Sequence, residues 1–307
     1  MPSAPRRTAL VLIAAAASWG LGTVLSKYAL DEISPLTLLP IQLAASVVAL
    51  AVLVRLTNVS GPGPSRASVL ARLGLLNPGL AYALTLLGLA SISASLVVLV
   101  GAIEPILILV LAVRFLGERV TPTMIGLSGV AIGGTLLVVY DPASSGQWLG
   151  IVLVIAGVGC CAVYTIIARR WIGTTDSTLD VVAGQQVYGL AFAVVVFVIA
   201  SLIDGGVVLP TSLLGWGSAI GSGVVYYAAA YWFYLTGLRA APAFLAAASF
   251  YLIPVFGLAG SAILLGEQLD GRQWLGVIVV VGAVVGLARA QAATSRDGQP
   301  EAAPATP

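Results

Sequence analysis

Uncharged stretches of about 20 residues recur from one end of this chain to the other, and that spacing constrains the fold more than any single motif. A run of that length crosses a ~30 Å hydrocarbon core as a helix, at about 1.5 Å per residue. The intervals between charges give ten spans: 8–26, 33–54, two within 73–113 divided at the polar turn Ser91-Ile92-Ser93, 120–140, 148–168, 181–203, 213–238, 243–265 and 273–288. The last is the shortest, and needs snorkelling by Arg272 and Arg289 or a thinned bilayer. Composition agrees, because 59% of the 307 residues are hydrophobic and 8% charged, against roughly 25% charged in soluble domains. The first stretch reads as a span and not as a removable leader, since no small-residue cleavage site follows it and similar stretches continue down the chain.

Each added or lost span would exchange the sides of every later loop, so the basic residues test the count. With the N-terminus cytoplasmic, twelve of the 14 fall inside: Arg6, Arg7, Arg55, Arg66, Arg72, Arg114, Arg119, Arg169, Arg170, Arg239, Arg289 and Arg296. Lys27 and Arg272 fall outside. The expectation is an all-α polytopic membrane protein of ten transmembrane helices with both termini cytoplasmic. Residues 291–307, rich in Ala, Pro and small polar residues, read as a disordered cytoplasmic tail.

The chain also repeats itself. Tyr82 pairs with Tyr231, Gly88 with Gly237, Pro105 with Pro254 and Gly117-Glu118 with Gly266-Glu267, all 149 positions apart. Earlier, Thr23 pairs with Thr165 and Lys27 with Arg169, while Gln42 falls opposite Gln185 or Gln186. The repeats, 8–140 and 147–289, hold five spans each. Five is odd, so the halves are inverted relative to each other, the architecture that underlies alternating access.

Ten spans in two five-helix repeats, with Ser18-Trp19-Gly20 and Lys27 in the first span, Glu104-Pro105 in the fourth, and Gly117-Glu118 and Gly266-Glu267 after the fourth and ninth, resemble the EamA family of the drug/metabolite transporter superfamily. The resemblance runs from about residue 9 to 289. It implies a bacterial inner-membrane carrier, an exporter of amino acids or related metabolites, with a central cavity lined by spans one, three, four, six, eight and nine. Many members carry arginine in the second span where this chain has Gln42.

Glu104 is the ionisable side chain well inside a span, about 15 Å along the helix from Arg114. A carboxyl there costs about 2.5–3.5 kcal/mol on insertion scales and must face protein or water. It is a substrate-binding and proton-coupling candidate, or else it orders the break at Pro105. Pro105 and Pro254 each remove a backbone donor, and Asn77-Pro78-Gly79 interrupts the third span, so Pro78, Pro105 and Pro254 are the helix-break or hinge candidates and Asn77 a polar contact. In the eighth span Tyr227, Tyr231 and Tyr234 share one helical face, with Tyr226 and Trp232 pointing elsewhere and Tyr234 near an interfacial belt. Tyr227 and Tyr231, with Trp19, Tyr82, Tyr164 and Tyr251, form an aromatic box for an apolar or cationic ligand, or pack the core. Gln42, Gln185 and Gln186 suit interhelical hydrogen bonds, and Lys27 suits snorkelling. Gly129 with Gly133, Gly217 with Gly221, and Gly282 with Gly286 permit close helix contact within a protomer or across a homodimer.

Other classes are poorly served. Scattered basic residues do not neutralise a nucleic-acid backbone, adjacent Cys160 and Cys161 make no disulfide framework, and with no histidine there is no metal-site pattern. There is no P-loop, dinucleotide fingerprint or activated nucleophile, so neither enzyme chemistry nor a cofactor is expected. The function read from the sequence is a secondary active transporter of a small organic metabolite such as an amino acid; the alternatives are a membrane-embedded binding or sensory protein and a passive channel.

Overall fold

The computed structural model describes residues 4–57, 64–89, 91–92, 97, 100–139, 148–173, 177–204, 206–265 and 270–297. Helices α1 (Ala4–Leu30), α2 (Pro35–Thr57), α3 (Pro64–Gly74), α4 (Ala81–Leu89), α5 (Glu104–Leu111), α6 (Pro122–Val139) and α7 (Trp148–Trp171) are followed by α8 (Thr178–Asp204), α9 (Leu213–Ser222), α10 (Ala230–Ala240), α11 (Ala243–Ala248), α12 (Ile253–Leu265) and α13 (Gly271–Asp297). Four irregular turns modify these runs. A wide π turn, Leu75–Leu80, joins α3 to α4, and a second, Gly223–Ala229, joins α9 to α10. A third, Ala112–Leu116, extends α5, and a tight 3-10 turn, Ser249–Leu252, joins α11 to α12.

Among the described residues eight stretches are long and apolar enough to cross a bilayer, which makes the chain an all-α polytopic membrane protein. The predicted spans outside that set are the fourth, described at 97 and over 100–116, and the eighth, 213–240, whose glycine- and tyrosine-rich middle lowers its hydropathy. The 213–240 run nevertheless joins opposite ends of the bundle, about 40 Å apart at 1.5 Å per residue. At its start the Thr211 and Ser212 amides donate to Glu32 Oε2, and the Ser212 hydroxyl donates to Glu32 Oε1. At its finish Arg239 donates to the Thr178 hydroxyl at 2.8 Å. Loops predicted to share a side of the membrane therefore meet.

The Gly117-Glu118 pair gains a local explanation. Gly117 closes the 112–116 turn at φ +66°, a left-handed conformation that glycine adopts without strain. Glu118 then accepts hydrogen bonds from the Ala243 and Phe244 amides at 2.6 and 3.1 Å, two of the unpaired donors at the start of α11. Its predicted counterpart, Gly266-Glu267, lies outside the described residues, as do Ser93 and the loop 141–146.

Two expectations about the chain's end are corrected. The last span is not short: α13 has 27 residues, so it needs neither snorkelling nor a thinned bilayer. Reciprocal bonds start it, with the Gln273 amide donating to Asp270 Oδ1 and the Asp270 amide donating to Gln273 Oε1. Nor is the tail disordered from residue 291, because α13 continues to Asp297. Its last turns, Ala290-Gln291-Ala292-Ala293, are strong helix formers, and Thr294 returns its hydroxyl to the Ala290 carbonyl. The remainder, 298–307, is outside the described residues.

Packing follows the repeat. Helix α1 lies against the eighth and ninth runs, α9–α10 and α11–α12, while α7 lies against the third and fourth, α3–α4 and α5. The second run α2 packs on the seventh, α8, and the fifth, α6, on the tenth, α13. Exchanging the two halves maps these packings onto one another. The first helix of each half is thus held between the third and fourth of the other, and a site at their junction draws on both halves.

Candidate functional site

That junction contains a partly open cavity, the concave kind of place in which small-molecule sites form. The first half contributes Trp19 from α1, Asn77 and Tyr82 from the third run, and Glu104 from the start of α5. The second half contributes Cys161, Tyr164 and Thr165 from α7, Tyr226, Tyr231 and Tyr234 from the eighth run, and Phe250 and Ile253 from the ninth. Three runs of each half supply the walls, and they are the first, third, fourth, sixth, eighth and ninth.

The irregular turns decide what faces this space. Asn77 has extended backbone (φ −147°, ψ 117°), as a residue preceding proline prefers, and this break frees its side chain to meet the other half. Tyr231 donates its hydroxyl to Asn77 Oδ1 at 2.5 Å. Glu104 occupies the first turn of α5 with Pro105 beside it, where a missing amide costs no helical bond. A carboxylate at a helix start is favoured by the exposed amides there. Pro254 is likewise the second residue of α12, just after the 3-10 turn. Both prolines therefore stand at the beginning of helical segments, where consecutive segments of their runs meet.

Aromatic side chains build most of the wall. Trp19 makes edge contacts with Tyr231, Tyr234 and Phe250, with ring centroids 5.6, 5.5 and 5.3 Å away. Tyr82 meets Tyr226 edge-on at 5.6 Å. Several polar groups on this wall are already engaged. The Tyr164 hydroxyl donates to Gln185 Oε1 at 2.9 Å, and the Tyr234 and Thr165 hydroxyls share a bond of 3.1 Å. Trp19 is 6% exposed, and its indole N–H is buried without a partner among the described residues. Glu104 is the charged side chain among those lining the cavity, and no donor pairs with its carboxylate among the described residues. No group of three or more His, Cys, Asp or Glu able to hold a metal is found among them either.

Of the predicted site residues, the structure brings together Trp19, Asn77, Tyr82, Glu104, Tyr164 and Tyr231. Tyr227 stands one layer back, buried, with its ring 5.3 Å from Tyr82 and stacked 6.4 Å from Tyr231. Tyr251 is elsewhere, in a core cluster with Met124, Ala131 and Val280 between the fifth, ninth and tenth runs. The tight turn 249–252 rotates the chain so that Phe250 and Ile253 face the cavity and Tyr251 faces away.

Tyr226 lines the cavity, against the expectation that it points elsewhere. The π turn 223–229 has more residues per turn than an α-helix, so Tyr226 and Tyr231, five apart, come to one face. Tyr234 is 2% exposed at the cavity, not part of an interfacial belt. Cys161, Thr165, Phe250 and Ile253 were not anticipated. Thr165 and Ile253 carried a clue, in their places opposite Thr23 and Glu104 across the repeat.

The sequence profile of the EamA-like transporter family matches residues 6–140 and again 144–289. Among solved structures, one titled only "Crystal structure of protein" superposes with a TM-score of 0.78 at 18% identity, covering 95% of this chain and 99% of that one. At that identity the likeness shows the fold alone. No curated protein matches the chain.

Proposed function

The chain belongs to the EamA-like transporter family, and from that premise we propose that it is a secondary active carrier of a small organic metabolite, working by alternating access and in the direction of export. Its place on this reading is the bacterial inner membrane, with both termini cytoplasmic and residues 8–140 and 147–289 as the two inverted repeats. The observation that carries it is the cavity built from the equivalent three runs of each half. A site shared in this way opens to one side or the other as the halves exchange conformations. Trp19, Asn77, Tyr82, Glu104, Tyr164 and Tyr231 bind the solute, with Tyr227 buttressing them, and the joints at Pro78, Pro105 and Pro254 let the third, fourth and ninth runs bend. Tyr251 keeps a packing role.

Glu104 is the group that couples transport to protons on this reading. An unpaired carboxyl facing a solute cavity exchanges a proton with whichever side the cavity opens to. Purified protein in proteoliposomes is expected to show saturable counterflow with a solute from a metabolite panel that includes amino acids, accelerated by a pH gradient. Flux that never saturates and lacks trans-stimulation would assign a channel instead, and ligand-induced stabilisation without counterflow would assign a binding or sensory protein. Glu104→Gln is expected to remove the response to the pH gradient while counterflow persists; an unchanged response would end the coupling role.

A further inference from the structure

The charge and hydrogen-bond inventory of the cavity narrows the solute class, and we infer that the site selects small organic monocations, an amine or ammonium group on an apolar or aromatic body, over zwitterionic amino acids. This rests on the transport reading and deepens it.

Three features lead there. Among the described residues lining the cavity, Glu104 is the acidic side chain and there is no Lys or Arg. A solute ammonium has an unpaired counter-ion waiting, whereas a solute carboxylate meets a like charge and no cation. Three of the neutral donors are committed: Tyr231 to Asn77, Tyr164 to Gln185, and one of the Tyr234 and Thr165 hydroxyls to the other. A carboxylate brought in from water loses its hydration without gaining a cation, because none lines this wall among the described residues. The Trp19 indole N–H is the lining group that is buried and unpartnered among the described residues, and one donor suits a single neutral oxygen, a hydroxyl or carbonyl, on the solute.

The walls supply the rest of the recognition. Trp19, Tyr82, Tyr226, Tyr231, Tyr234 and Phe250 surround the space with π systems, which attract a desolvated organic cation and accept an aromatic body. Asn77 Oδ1, already accepting from Tyr231, adds a partial negative charge beside them.

The test uses pairs of probes that differ by one carboxylate: tyramine against tyrosine, phenethylamine against phenylalanine, and ethanolamine against serine. Purified full-length protein is titrated with each by ligand-dependent thermal shift, and each is then tried as the internal solute in proteoliposome counterflow. At least one amine is expected to bind at least tenfold more tightly than its amino acid and to drive counterflow. Glu104→Gln should bring that ratio close to one. Trp19→Phe, which keeps a ring and removes the N–H, should weaken tyramine and ethanolamine more than phenethylamine. Stronger binding of the amino acid in every pair, or no binding of any amine, would overturn the inference. Saturable transport of a neutral or anionic solute alone would overturn it while leaving the carrier reading in place. Absence of saturable transport with any solute would overturn the carrier reading itself. If Glu104→Gln does not fold, the Trp19→Phe comparison and the wild-type ratio still decide.

Discussion

Gln42 and Gln185 occupy corresponding places in the two halves, yet they hold the molecule together differently. Gln42 in α2 donates through Nε2 to the hydroxyls of Ser26 in α1 and Ser222 at the end of α9, each at 2.9 Å. Gln185 in α8 donates to the Leu70 carbonyl in α3 at 3.1 Å and accepts from Tyr164 in α7. Each glutamine ties the first helix of its own half to the third run of the other. The close approaches match as well, since Gly223 rides over the Gln42 backbone and Gly74 over the Gln185 backbone. The chemistry at the ends differs. Ser26 and Ser222 already donate to the Gly22 and Ala219 carbonyls, so Gln42 only fills spare acceptor capacity. Gln185 instead satisfies the donor of a tyrosine that lines the cavity. Equivalent positions in a repeat need not do equivalent work, and here the second-half clamp alone touches the candidate site.

Breaking the backbone approaches should have the largest effect. A Cβ at Gly74 would lie 1.9 Å from the Gln185 carbonyl oxygen, and one at Gly223 2.4 Å from that of Gln42. Both contacts are backbone, so neither yields cheaply. Gly74→Ala and Gly223→Ala should each destabilise by about 3 kcal/mol or more, beyond the upper part of the usual overpacking range, with Gly74→Ala the worse. The yield of monodisperse protein and its thermal midpoint measure this; a Gly74→Ala protein as stable as wild type would refute the close approach.

The side chains separate the clamps more finely. Gln185→Leu leaves the buried Tyr164 hydroxyl without its acceptor and should cost about 2 kcal/mol, with a loss of solute affinity as that ring moves. Gln42→Leu removes a donor from two serines that keep their backbone acceptors, and should cost about 1 kcal/mol with affinity unchanged. Denaturation in detergent together with binding titrations would show the asymmetry. Equal losses in both variants would mean that the two clamps are interchangeable. Adding Tyr164→Phe to Gln185→Leu sharpens the comparison, because the orphaned donor is then gone and part of the stability should return.

The smallest expected effect lies at the bundle end nearest the first-half clamp. Bonds from the Ser212 hydroxyl, then from the Ser212 and Thr211 amides, hold Glu32 at about 2, down from its ordinary 4.5. A depressed carboxyl contributes stability above its unfolded value and loses it as pH falls through the folded one. The difference in thermal midpoint between wild type and Glu32→Gln should therefore be constant above about pH 5 and shrink toward pH 2. A difference independent of pH would show that the carboxylate charge is not what anchors this loop.

Much of the architecture was legible from residue order alone. Interruptions of apolar runs by single charges placed the spans, and the pairing of Tyr82 with Tyr231 and Pro105 with Pro254 announced the duplication. Asn77 and Glu104 were identifiable as polar groups that a lipid-facing helix tolerates badly, and Trp19 and Tyr231 as members of one aromatic set. The errors cluster where the helix repeat is not 3.6. An ideal wheel sends Tyr226 away from Tyr231 and gathers Tyr251 with the box, whereas one widened turn and one tightened turn reverse both assignments. The misplaced end of α13 has another origin: charge and polarity mark where a membrane ends, not where a helix does.

Sequence by itself determined that the chain must bury its backbone in membrane-crossing helices, which follows from the cost of charge and unpaired amides in hydrocarbon, and that two halves share one pattern. Tertiary structure decided which of the tyrosines meet Glu104 and which retreat into packing. That choice turns on a rotation of about 100° per residue, and whether a turn gains or loses a residue is settled by the fit of neighbouring helices from the other half, whose contacts no local pattern encodes.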